Sequence, residues 1–338
     1  MIPQADPLND LPSSGPSATF LRIVDVAVEF RGTRKSYGSK TALWELSTRV
    51  SKGSICGIIG PNGSGKTTTL RLILDILQPD AGEIEVLGES RPRLANNRIS
   101  YLPEERGLYR KMKVRHQLSY LGKLKRLTGK PLRERIDYWL NRLELTSTLD
   151  QKVESLSKGM AQKIQFIGAV LNRPELLVLD EPFSGLDPVN MEVLREVILE
   201  LKREGTTVIL STHDMAMAQI LCDAIIMIYE GRKVLDGPIH QIQAEFGSDT
   251  VRIRTRPNFM EFGASWFAGE DSGPVLRDLG QTQELRNLPD PQAFLGRLTQ
   301  FCEIDFFEIS PPNLHDIFVR IARPTPEESR ETQGGDHA

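Results

Sequence analysis

Cysteine is scarce: the 338 residues hold only Cys56, Cys222 and Cys302, set in apolar stretches at no metal-like spacing. That excludes a disulfide framework and a structural zinc module, and it fits a reducing compartment with the three thiols as core residues. Long apolar runs are also missing. The richest, Ala224 to Tyr229 (AIIMIY), is strand-sized, far short of the ~18–20 residues that span a bilayer. No basic residue precedes Arg22, and Pro3, Pro7, Pro12 and Pro16 punctuate the start, a pattern wrong for a secretion signal and right for a loose tail. Charge excess is absent too: 42 Lys+Arg stand against 45 Asp+Glu, a formal −3, which argues against nonspecific polyanion binding. No internal repeat breaks the chain into copies.

What is present is ordinary globular composition, with 39% apolar and 26% charged residues, enough for about two domains with cores of their own. Residues 1–19 and 324–338 are expected to be disordered tails. From Phe20 to about Gly53, alternating residues such as Val26, Val28 and Phe30, then Leu46, Thr48 and Val50, predict antiparallel strands with a turn at Arg31 to Arg34. After them, apolar runs at Ile55–Ile59, Leu176–Leu179, Thr207–Leu210 and Ala224–Tyr229 alternate with helical patterns such as Thr67–Leu77. Strands apolar on both faces and separated by helices mean a parallel sheet covered on two sides. The fold class is therefore α/β, with this core expected over 20–246.

Set into it, over about 104–156, is a helical stretch carrying Leu118, Leu121, Leu124 and Leu127, with a second helix opening at Pro131. Between Arg106 and Arg135 stand eleven Lys or Arg and one acid, Glu134. Two readings stay open: a solvated helical face, or a surface for an acidic partner, either a phosphate backbone or another protein's loops. Over 247–323, strands at Thr250–Thr255 and Glu303–Ile309 and helices near Pro291–Phe301 and Leu314–Ile321 predict a small α+β, ferredoxin-like module. The apolar face Leu314, Ile317, Phe318 and Ile321 reads as core packing.

The strongest signal is Gly60-Pro61-Asn62-Gly63-Ser64-Gly65-Lys66-Thr67, which matches GxxxxGK[ST] between a buried strand and a helix. Glycines 60, 63 and 65 let the backbone wrap a phosphate with its amides turned inward, and the helix adds its positive dipole end. Lys66 is suited to the β- and γ-phosphates, the Thr67 hydroxyl to Mg²⁺, and Thr68 to one more contact. Leu176-Leu-Val-Leu-Asp180-Glu181 delivers two carboxylates at a strand's C-terminal end, where open α/β sheets bind ligands. Asp180 suits Mg²⁺, and Glu181 suits a water poised for in-line attack. Ser211-Thr-His213-Asp brings an imidazole to the same edge, placed for the γ-phosphate or the attacking water.

Leu156-Ser157-Lys158-Gly159-Met160-Ala-Gln162 stands upstream of the 176–181 strand, and Ser184-Gly185-Leu186-Asp187 follows it. With GPNGSGKT, LLVLDEP and STHD in this order, the chain resembles the ATP-binding cassette of ABC transporters, a P-loop NTPase, from about residue 20 to 240. YLPEERGLY, the LSKGM variant and a PPNLHDIF-like end make it similar to bacterial export-type cassettes serving sodium or drug efflux.

The resemblance implies ATP and Mg²⁺ as cofactors. It also implies two cassettes facing head to tail, so that Ser157 and Gly159 of one complete the γ-phosphate site built on Lys66 of the other, with Asp187 at the seam. Tyr37 matches the aromatic that stacks on adenine. The implied partners are a second cassette, as a homodimer, and a separate integral membrane permease subunit. The implied place is the cytoplasmic inner face of the membrane, with no direct contact to nucleic acid. Two departures stand out: Lys158 and Met160 replace a glycine and a glutamine of the usual LSGGQ, and Glu104 stands where the family most often has Gln. A carboxylate there can ligand Mg²⁺ but cannot donate, and it adds negative charge near the γ-phosphate. The rival readings are a soluble ABC ATPase acting on nucleic acid or ribosomes and a non-hydrolysing regulatory cassette. The stretch from Glu104 to Leu156 is too short for the coiled-coil or zinc insertion of repair-type cassettes, and translation-type proteins carry two cassettes per chain.

Overall fold

The structure is a computed structural model that describes residues 25–90, 97–105, 107–247, 250–267, 274–286 and 288–322. The expected tails, and the start of the first strand at Phe20 and Ile23, lie outside these residues.

Strands β1 (Val26–Tyr37) and β2 (Lys40–Ser51) form an antiparallel hairpin. The chain does not turn at Arg31 to Arg34. Gly32 takes a left-handed φ of 59° there and the register shifts on either side of Thr33, so β1 runs on through a bulge. The reversal comes at Gly38 and Ser39, where Tyr37 pairs with Lys40. Two glycines able to adopt positive φ sit six residues apart, and local pattern alone does not say which one bulges and which one turns.

β3 (Ile55–Ile59) is buried along its whole length and leads through the glycine loop into α1 (Lys66–Ile73). β4 (Ala81–Val86) joins the hairpin to make the sheet β2-β1-β4. Then come β5 (Ile99–Leu102), α2 (Val114–Leu124), α3 (Gly129–Arg142) and α4 (Lys158–Val170). The second helix of this group starts at Gly129, which puts Pro131 inside the first turn, where its missing N–H costs nothing. Leu118 is buried, whereas Leu124 is 62% exposed, at the very end of α2.

The remaining core elements are β6 (Leu176–Asp180), α5 (Pro188–Arg203), β7 (Thr207–Thr212), α6 (Met215–Leu221), β8 (Ala224–Tyr229), β9 (Arg232–Pro238) and α7 (Ile239–Glu245). The main sheet has the order β5-β6-β7-β3-β8-β9, parallel except for the antiparallel edge strand β9. Its strands feed two cores: Leu177 and Leu179 of β6 face one cluster, Leu176 and Val178 the other. Each such buried side chain contributes about 1.5–3 kcal/mol. Stability held on both faces leaves the C-terminal strand ends free for chemistry.

The last unit contains β10 (Thr250–Arg256), β11 (Val275–Asp278), β12 (Gln283–Arg286), α8 (Pro291–Leu298), β13 (Glu303–Ser310) and α9 (Leu314–Ala322). Its strands pair antiparallel in the order β11-β12-β10-β13. Between β10 and β11, the described residues carry short 3-10 turns, at Phe259–Glu261 and Gly263–Phe267. Val251, Ile253, Phe259, Leu285 and Phe294 make its own core. Helix α9 packs elsewhere. Leu314 and Ile317 belong to the large core of the main sheet, and the Phe318 ring meets Tyr229 of β8 edge to face at 5.7 Å. The Leu314 N–H donates to the Gln219 side chain of α6 at 3.0 Å. Arg286 of β12 pairs with buried Asp316 at 2.8 Å, so α9 is fastened to both units.

Candidate functional site

The glycines between β3 and α1 are there for steric as well as conformational reasons. Gly60 has φ 151°, and a Cβ on it would lie 2.1 Å from the Ile228 carbonyl oxygen. Gly65 has φ 115°, and a Cβ there would lie 2.6 Å from the Ala42 carbonyl oxygen. Gly65 is also the N-cap of α1, and no side chain caps the helix. The first amides of α1 are thus left for a ligand, at the helix end that favours anions. Lys66 is 6% exposed, and its ammonium donates to the Gly60 and Pro61 carbonyls at 2.9 and 3.0 Å. Burial pulls its pKa below the ordinary lysine value, against the charges of Glu181, Asp180 and Glu104. The Ser64 hydroxyl is buried without a partner, an orphan of the kind a bound phosphate would satisfy.

Across from this loop, β6 ends in Asp180, and Glu181 follows it; both are buried. Asp180 is held from three strands or helices. Ser211 of β7 donates to its Oδ1 at 2.5 Å, the Tyr101 hydroxyl of β5 lies 3.4 Å from Oδ2, and the Thr67 hydroxyl lies 3.5 Å from Oδ1. Desolvation, then the Asp180 charge, pushes the Tyr101 phenol up to about 12, so it stays a donor. Glu181 adopts φ 48°, a left-handed conformation that costs a non-glycine residue of order 1 kcal/mol or more. Its N–H is tied to Ser211 Oγ and O, at 3.1 and 3.2 Å, which holds the turn in place. The carboxylate lies 3.0 Å from His213 Nδ1 and 4.0 Å from the Lys66 ammonium.

Sequence pattern alone gives Ser211 and Tyr101 no role. Each sits within a recognisable motif, STHD or YLPEE, but what gives them work is the strand order. β5 and β7 flank β6, and the register sets Ser211 directly beside Asp180.

A cavity of about 690 Å³ lies over the loop. Asn62, Gly63, Gly65, Lys66, Thr67 and Thr68 form its phosphate end, and Glu181 and His213 close the side. Tyr37 stands at its rim, 47% exposed, as a free ring face would be, and Glu104 reaches the same space from the segment after β5. Gly60, Pro61, Ser64 and Asp180 do not line it; Gly60, Ser64 and Asp180 are buried and Pro61 is half-buried. Among the described residues no three His, Cys, Asp or Glu side chains cluster closely enough to hold a metal alone. The hard-oxygen pair Thr67 and Asp180 fits Mg²⁺ all the same, because this ion commonly takes one or two protein ligands plus phosphate and water. A larger cavity, about 1170 Å³, opens between β1–β2 and β8–β9. It holds none of the phosphate-loop residues, so chemistry and not size marks the site.

Ser157, Gly159 and Asp187 are not brought to this cavity. Ser157 is exposed and caps α4, its hydroxyl accepting from the Met160 N–H at 3.2 Å. Gly159 is buried, and a Cβ there would press on the Asn190 amide at 3.3 Å. Asp187 caps α5, accepting from the Asn190 N–H at 3.0 Å, with Pro188 in the first turn as expected. No described helix is long and apolar enough to cross a membrane.

Comparison with known proteins agrees with this geometry. A family model described as ABC transporter matches residues 43–184. An uncharacterized ABC transporter ATP-binding protein of Bacillus subtilis (strain 168) is 39% identical over 287 residues, covering 84% of this chain and 95% of its own. Nod factor export ATP-binding protein I of Paraburkholderia xenovorans (strain LB400) is 34% identical, covering 88% and 97%. A solved ATP-binding subunit of an ABC transporter superposes with a TM-score of 0.61 at 30% identity, over 65% of this chain and 93% of that one.

Proposed function

This chain is an ATP-binding subunit of the ABC transporter family, and from that premise we propose that it is the ATP-hydrolysing engine of an exporter, working as a homodimer on a separate membrane-spanning subunit. The observation that carries the reading is the separation of two anion cradles within one chain. The α1 cradle holds Lys66 and the acids of β6. The α4 cradle, with Ser157 and Gly159, does not line that cavity. Two chains docked head to tail bring each α4 cradle to the other's α1 cradle, with Asp187 at the seam.

In this reading, Tyr37 stacks on adenine and the loop amides with Lys66 hold the β- and γ-phosphates. Thr67 and Asp180, with Glu104 beside them, hold Mg²⁺, which when bound neutralises phosphate charge. Glu181 takes a proton from the attacking water, and His213 fixes the Glu181 carboxylate and the γ-phosphate. ATP bridges both halves, whereas ADP lacks the group that Ser157 touches, so hydrolysis releases the dimer. We divide the chain into a cassette at 20–246, with its helical part at about 104–156, and a C-terminal module at 247–323. The Nod factor export proteins among its relatives support the outward direction, and the inner, cytoplasmic face of the membrane is the place where such an engine meets ATP.

The test combines Glu181→Gln with light scattering. The variant is expected to bind ATP, to release no phosphate and to accumulate as dimers. A variant that stays monomeric in saturating Mg·ATP rejects the two-cradle reading. Co-sedimentation of the chain with membranes supports the transporter. Salt-sensitive association with nucleic acid would favour the rival ATPase.

A further inference from the structure

Two buried amides lie outside the machinery described so far. Gln165 is on α4 and Gln117 on α2, and both are buried. Gln165 Nε2 donates to the Pro103 carbonyl at 3.1 Å and to the Glu105 carbonyl at 3.3 Å, the two carbonyls that flank Glu104. Gln117 Oε1 accepts from the Tyr109 N–H at 3.0 Å, farther along the same segment. Each amide keeps one buried polar atom with no partner, Gln165 Oε1 and Gln117 Nε2. Such an atom costs about 1–3 kcal/mol. An apolar side chain of similar length would avoid that cost, so packing alone does not account for glutamine at either place.

We propose that Gln165 is a positioning residue for Glu104: its amide fastens the backbone on both sides of Glu104 to helix α4 and so sets where that carboxylate stands over the nucleotide cavity. The inference rests on the ATPase reading above and deepens it. Helix α4 opens at Ser157 and reaches Gln165 about 12 Å further along its axis. One rigid element then carries the cradle offered to the partner and the grip on this chain's own Glu104. The helix is also seated firmly. A Cβ on Gly168 of α4 would lie 2.4 Å from Leu121 Cδ1, so the Leu121 side chain of α2 packs directly on the α4 backbone. A shift of α4 when the partner's triphosphate arrives is therefore transmitted to Glu104 through Gln165, which links the two nucleotide sites of the dimer.

A double-mutant cycle on the full chain separates positioning from mere stability. Gln165→Met, Glu104→Ala and the pair are made in the Glu181→Gln background, where binding is read without turnover. The readout is the Mg²⁺ concentration at half-maximal binding of a fluorescent ATP analogue. Each single change is expected to move that midpoint about tenfold in the same direction, as loss of a supporting partner does, and the double change is expected to move it no further than Glu104→Ala alone. Independent, multiplying shifts overturn the inference, as does an unmoved midpoint in either single variant. Should Gln165→Met not fold, Gln165→Asn serves: its amide is too short to bridge both carbonyls and is expected to shift the midpoint in the same direction, and no shift overturns the inference. Failure of the parent to bind the analogue overturns the ATPase reading as well, whereas binding with additive shifts overturns only the role of Gln165.

Discussion

The N-termini of α1 and α4, which the proposed function joins across one triphosphate, differ in completeness. At α1 the cap is a left-handed glycine with no side-chain cap, the lysine beside it is buried, and carboxylates from β6 with a hydroxyl from β7 stand opposite. At α4 the Ser157 hydroxyl caps its own helix and is exposed, and neither Ser157 nor Gly159 lines the cavity over the phosphate loop. The first end is finished by three segments of its own chain. In the proposed dimer the second is finished by another molecule, with ATP as the joint between the two.

The sharpest way to press the comparison is to remove the group that works only when both ends meet. Glu181→Gln is expected to lower phosphate release about 10³-fold, the scale of a lost general base, while analogue binding persists. Lys66→Ala is expected to weaken nucleotide binding by dilute monomer more than about tenfold, in line with a lost charge-assisted contact. Ser157→Ala should leave that monomer affinity alone and reduce dimerisation, read by analytical ultracentrifugation. Equal losses of monomer affinity in the two variants would erase the distinction.

Smaller effects test how the finished end is held. Gly60→Ala forces a Cβ toward the Ile228 carbonyl, and urea unfolding should show a loss of about 2–4 kcal/mol. Ser211→Ala removes the donor to Asp180 and the acceptor for the Glu181 N–H. It is expected to slow turnover about tenfold, the value of one or two hydrogen bonds, with analogue binding retained. The smallest effect concerns pH. The Asn190 N–H, then its side chain, holds the Asp187 carboxyl below the usual Asp value. A depressed folded-state value means that this cap stabilises above the ordinary Asp range and fades as pH falls through the lowered one. Asp187→Ala should therefore flatten the acid limb of the urea midpoint plotted against pH.

The phosphate loop and the acids of β6 were legible because glycine, lysine and carboxylate spacing along one strand-loop-helix is a local property. Tyr101 and Ser211 were not, because their partner Asp180 becomes a neighbour only when β5 and β7 flank β6, an order unrelated to chain order. The misplaced first turn has the opposite cause: Gly32 and Gly38 look alike locally, and only pairing with β2 and β4 shows that the strand passes the first and reverses at the second. The apolar stripe of α9 did read as core packing, but nothing in the stripe itself said that the core belonged to the main sheet and not to the adjacent module.

That seat of α9 has a consequence for biosynthesis. Leu314 and Ile317 complete a core whose other members begin at Ile55, so a nascent chain emerging from the ribosome keeps an apolar gap beside α6 until α9 has been made. A prematurely terminated product would display that gap to chaperones and proteases, and the cell would have a means of discarding incomplete copies before they meet a partner.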